Sequence, residues 1–127
     1  MKTILKHIKI ILLTFILCWV SSDMNAQKET EVFIPVGMSP GVSGKYSVMG
    51  RVETVNWNDS SVTIKQAEGM KNIKITSSTK IYLDRSKLKL TNRKCSMADC
   101  KPGRLVEAKY KDNKPGSSIE WLKVQLE

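Results

Sequence analysis

The run Tyr46-Ser47-Val48-Met49-Gly50-Arg51-Val52-Glu53-Thr54 decides the fold class. Val48, Gly50, Val52 and Thr54 alternate with Met49, Arg51 and Glu53, the period of a strand with one face in a core. Gly50 has no side chain to pack, so inside such a run it signals a bend or bulge. The turn residues Asn56-Trp57-Asn58-Asp59-Ser60 follow. Val62 and Ile64 then resume the alternation, which predicts a hairpin. Ala67-Glu68-Gly69 turns the chain again, and Ile73 and Ile75 mark a third strand. Thr79 to Leu83 is a short fourth, with Ile81 and Leu83 on one face.

Downstream, Asp84 to Pro102 is the least regular stretch, with Leu88 and Leu90 as its expected anchors. Ser96-Met97-Ala98-Asp99 predicts one helical turn. Val106, Ala108 and Tyr110 alternate in another strand between the turns at Pro102-Gly103 and Pro115-Gly116. In the last strand, Ser118 to Leu126, Ile119 and Trp121 fall on one face and Leu122, Val124 and Leu126 on the other. That change of phase predicts a bulge, or a strand covered on both faces. Five or six short strands with Gly and Pro turns argue for an all-β domain, a small antiparallel barrel or sandwich over residues 46–127. Closure would remove exposed edges.

Upstream, Gln27–Lys45 has no period and reads as a Pro/Gly-rich arm. Its Gly41-Val42-Ser43-Gly44-Lys45 only superficially imitates a phosphate loop. Ser39 stands where the first Gly belongs and Tyr46 where the metal-binding hydroxyl belongs. Before the arm come Lys2, Lys6 and Lys9, an apolar run from Ile10 to Val20, and small or polar residues up to Ala26. This layout predicts a signal peptide over residues 1–26, with an uncleaved anchor as the alternative. The apolar run is short of the roughly 20 residues of a membrane span, and no other stretch approaches that length. The expected location is periplasmic or secreted.

The chain has 127 residues and a formal net charge of +9. Cleavage would remove three lysines and one aspartate, leaving +7 on about a hundred residues, enough for one modest core. The single histidine, His7, goes with the leader, so a Ser-His-Asp or Cys-His site is excluded from what remains. The carboxylates sit mostly at turns or on outward strand positions. No catalytic residue, cofactor or metal site is expected, since a zinc site usually needs four Cys or His ligands. Two cysteines remain, Cys95 and Cys100. In an oxidising compartment they predict a Cys95–Cys100 disulfide, against the alternative of two reduced, buried thiols.

Charge is concentrated between Lys80 and Arg104, where eight basic residues meet only Asp84 and Asp99. Arg85, Lys87, Lys89, Arg93 and Lys94 are the candidate anion-binding residues, acting through screened, salt-sensitive attraction. The alternative is a solvated rim around aromatics that belong to the core. Asn58-Asp59-Ser60 also matches the N-glycosylation pattern, which matters only in a eukaryotic source.

From Gly50 onward the sequence resembles a family of exported bacterial small β-barrel domains of unknown function. The residues that carry this are Gly50-Arg51-Val52-Glu53-Thr54-Val55, Ile75-Thr76 with Thr79-Lys80-Ile81, Asp99 with Pro102 to Ala108, and Ile119 to Val124. Cys95, Cys100 and the arm are not part of that pattern. The resemblance implies an OB-like barrel outside the cytoplasm and brings no catalytic residues. The expected function is a non-enzymatic envelope binding or scaffolding module. Its partner would be an anionic envelope polymer or another envelope protein. An oligonucleotide-binding module is the rival, disfavoured because export separates the chain from most nucleic acid.

Overall fold

The structure is a computed structural model and describes residues 33–127. The predicted signal peptide, its cut after Ala26 and the first part of the arm lie outside the described residues.

Seven strands form one sheet: β1 (Ser47–Asn56), β2 (Ser61–Gln66), β3 (Gly69–Lys74), β4 (Lys80–Asp84), β5 (Arg93–Lys94), β6 (Leu105–Tyr110) and β7 (Ile119–Gln125). Their order across the sheet is β3-β2-β1-β6-β7-β4-β5. The described residues are therefore all-β apart from short 3-10 turns, as the alternation requires. Two expectations need correction. The sheet is mixed, because β4 runs parallel to β7, and it does not close into a barrel. Its outer strands do not pair with each other. β5 is only two residues long and both are basic, while β3 carries Lys71 and Lys74. Short, lysine-bearing edges resist edge-to-edge pairing without closure. The single expected helical turn, Met97–Asp99, is present with a Ser96/Asp99 capping box. Further short 3-10 turns lie at Ser86–Leu88 and Lys111–Asn113.

One face of the sheet holds the apolar core. Val52, Val62, Ile64, Ile73, Leu83, Val106, Ala108, Tyr110, Leu122 and Val124 pack there with Met97 and Cys100. Gly50 is a packing necessity. A Cβ at this position would stand 2.7 Å from the Lys65 carbonyl oxygen and 3.2 Å from the Gln66 side chain. The expected distortion of β1 falls close by, as a register shift between Val52 and Thr54.

The phase change in β7 has both of its predicted causes. The β6–β7 register slips at Lys109/Tyr110, so that Tyr110 pairs with Ile119 and Lys109 with Trp121. The slip puts Ile119 in the core and Trp121 on the opposite face, so the two do not share a face. β7 is also buried on both faces. The second cover is the arm, seated on side chains that a solvated face would not bury. Asp84, Glu107 and Lys123 are fully buried. The expectation that Asp84 and Glu107 point outward is thus corrected.

The arm is held by these charges because its backbone has no strand to pair with. The Val36 amide donates to Asp84 Oδ2 at 2.9 Å, and the Gly37 amide to Glu107 Oε1 at 2.9 Å. The Ser43 and Ser47 hydroxyls donate to Glu107 Oε2 at 2.6 and 2.7 Å. Lys123 Nζ donates to the Ser39 hydroxyl at 3.1 Å and lies 4.3 Å from the centre of the Trp121 ring. Glu107 and Lys123 are direct partners in the β6–β7 register, so opposite charges are buried side by side. A buried charge is costly unless compensated, and here hydrogen bonds and a neighbour of opposite sign compensate it.

Candidate anion-binding loop

β4 leaves the sheet through Asp84 and the chain returns as β5, where Leu83 pairs with Arg93 and Tyr82 with Lys94. All five candidate residues lie on this one excursion. Its frame is local. The Arg85 carbonyl accepts the amides of Leu88 and Leu90 at 3.0 and 3.2 Å, and the Ser86 carbonyl accepts that of Lys89 at 3.0 Å. The Arg85 amide donates to Asn92 Oδ1 at 2.8 Å, and Asp84 Oδ1 takes the Ser86 amide at 2.9 Å. Lys89 adopts a left-handed conformation (φ 57°), which turns the chain out of the 3-10 segment.

The five basic groups divide by use. Arg85 closes the loop, its Nε donating to the Thr91 carbonyl at 2.7 Å. Lys87 is exposed and 3.8 Å from Glu127, which also meets Arg51 at 3.3 Å. Lys89, Arg93 and Lys94 are exposed and have no carboxylate within ion-pair distance among the described residues. The two acids of the stretch are turned to structural use. Asp84 is buried under the arm, and Asp99 accepts the Ser96 amide at 3.2 Å. Leu88 and Leu90, expected as anchors, are instead 45% and 52% exposed. The frame above is polar and takes over the anchoring role.

The aromatics are mostly structural. Tyr82, Tyr110 and Trp121 are buried, whereas Trp57 is 62% exposed on the β1–β2 turn. Asn58 is exposed on the same turn. In the segment imitating a phosphate loop most amides are already used: those of Val42, Ser43, Lys45 and Tyr46 close on the Ser39 and Val42 carbonyls, and that of Gly44 on the Ser47 hydroxyl. Among the described residues no three His, Cys, Asp or Glu side chains gather as a metal site. No described helix is long and apolar enough to cross a membrane.

Cys95 and Cys100 flank the Met97–Asp99 turn as free thiols, so the expected bridge is not formed in this structure. Cys100 packs in the core, and the Cys95 amide is fixed to the Ile81 carbonyl at 2.9 Å. Burial, reinforced by the Asp99 carboxylate, pushes both thiols up to about 12.

The buried set Asp84, Glu107 and Lys123 was missed by reading residue types alone. The two-sided apolar pattern of β7 was the signal: a strand covered twice implies that its neighbours' second face is covered too.

No protein-family model matches the chain, and no curated protein does. Among solved structures, the crystal structure of Ag(I)CusF is similar over 61% of this chain and 93% of that one, at 19% identity and a TM-score of 0.39. The likeness is one of small β-rich fold, and nothing about a ligand follows from it.

Proposed function

We propose that this chain is an exported, non-enzymatic binding module that holds an anionic partner of the envelope through the loop between β4 and β5. The observation that carries this is the separation of charge: Lys87, Lys89, Arg93 and Lys94 are exposed on one loop, while Asp84 and Asp99 are used inside the fold. Of the four, only Lys87 has a carboxylate within ion-pair distance among the described residues, that of Glu127; a cationic patch with so little local counter-charge attracts polyanions, and its attraction is screened by salt. Arg85 supports the loop through its contact with Thr91 and is the least available of the five.

Retention on immobilised heparin across a salt series tests the reading. Retention at low ionic strength, falling with salt and abolished in K87E/K89E/R93E/K94E, is the expected result. Wild-type retention no different from that variant overturns it.

A second reading, an oligonucleotide-binding module, draws on exposed Trp57 as a stacking platform. Quenching of tryptophan fluorescence by single-stranded DNA, lost in Trp57→Ala, would favour it over the first.

A further inference from the structure

The basic loop does not carry charge alone. Leu88 and Leu90 alternate with Lys87 and Lys89 at its tip, and about half of each leucine is open to solvent. A soluble polyanion makes no use of such residues. A lipid surface uses both kinds: cations meet anionic headgroups while the apolar side chains enter the acyl boundary. The backbone suits that boundary as well. The amides of Leu88, Lys89 and Leu90 are all bonded within the loop, so the tip can leave water without stranding those donors. The arm comes in at the same end. The Asp84 carboxylate that fixes Ser86 also fixes Val36, and exposed Phe33 lies three residues before Val36, within about 10 Å of chain.

We infer that the tip Lys87-Leu88-Lys89-Leu90 is a docking knuckle for an anionic lipid bilayer. Lys87, Lys89, Arg93 and Lys94 contact the headgroups, and Leu88 and Leu90 insert. This rests on the anion-binding reading and names its partner. It is distinguished from a polymer site by the leucines, which a polymer would leave in water.

The test uses the chain lacking residues 1–26, the expected mature form, which keeps every core residue found among the described residues. Co-sedimentation is measured with vesicles of phosphatidylcholine alone and of phosphatidylcholine with phosphatidylglycerol, alongside heparin retention. The expected result is binding to the anionic vesicles and not to the neutral ones. L88S/L90S should weaken vesicle binding by about tenfold or more and leave heparin retention as it was. Both leucines are half-exposed, and an unchanged thermal melt would verify the variant's fold. Vesicle binding indifferent to L88S/L90S overturns the inference. Heparin retention without vesicle binding also overturns it, and leaves the anion-binding reading standing as a polymer site. Loss of both removes the two together.

Discussion

The fully buried carboxylate of Asp84 accepts the amide of Val36 at 2.9 Å, across forty-eight positions of sequence. The bond joins the arm to the exit of β4, and it is stronger with Asp84 ionised. Burial alone would raise the Asp84 carboxyl. Hydrogen bonds from the Ser86 hydroxyl and amide, the Val36 amide and the Gln125 side chain outweigh it and hold the group below the ordinary value. A carboxyl depressed in the folded state contributes stability that is fully present above its unfolded value, about 3.9, and is lost as pH falls through the folded one. Thermal melts of the wild type should therefore decline in the acid range below about pH 4. In Asp84→Asn the part of that decline due to Asp84 should vanish, because no ionisable group remains there. The variant should be less stable by about 1–3 kcal/mol at neutral pH, since an amide nitrogen would face a backbone donor. An acid limb unchanged by D84N would refute the assignment.

Glu107 should govern the arm more than the sheet. Its two oxygens accept the Gly37 amide and the Ser43 and Ser47 hydroxyls, two of them on the arm. Glu107→Gln keeps the shape but turns one acceptor into a donor, at a cost of about 1–3 kcal/mol. Hydrogen exchange should accelerate at Gly37 and from Ser39 to Lys45 in that variant, while β1 and β2 stay protected. Equal acceleration throughout the sheet would mean that Glu107 supports the whole fold and has no special role at the arm.

These two residues also mark how far the sequence could be read. Period-two alternation located the core because Val52, Ile64, Val106 and Val124 face one side by geometry alone. The same rule places Glu107 on the outward side of β6, and there it fails. Whether an outward face meets water depends on a segment sixty to seventy residues away, and local pattern carries no information about that. The parallel β4–β7 pair was hidden for a similar reason, since hairpin turns announce antiparallel neighbours and no local signal announces a parallel one. The candidate loop was legible as a run of charge. The exposure of Leu88 and Leu90 was not, because leucine in an irregular stretch ordinarily marks an anchor. Here Arg85, Asn92 and Asp84 supply the anchoring through hydrogen bonds.

Gly50→Ala should destabilise by about 2 kcal/mol, the scale of overpacking a tight site. Its new methyl group would meet the Lys65 backbone at 2.7 Å, and that carbonyl belongs to β2 and cannot swing aside as a side chain could. Chemical denaturation of wild type and variant measures the difference. A change within a few tenths of a kcal/mol would show that β1 and β2 separate at little cost at this point.

Cys95 and Cys100 offer the last test, and its sign is fixed by their burial. In the reduced protein each thiol is pushed up to about 12, first by burial and then by Asp99. With unfolded thiols near 8.5, the folded state keeps its protons longer. That contribution to stability is complete below about pH 8.5 and fades as pH rises toward the folded value. A disulfide reagent acts on the thiolate, so at pH 8 it should label the reduced native protein very slowly and the same protein in guanidinium at once. Rapid native labelling of either residue would contradict the burial seen here. Export would add a second state to the comparison. Protein recovered from an oxidising compartment should then resist labelling even when unfolded, and gain two hydrogens in mass only after reduction.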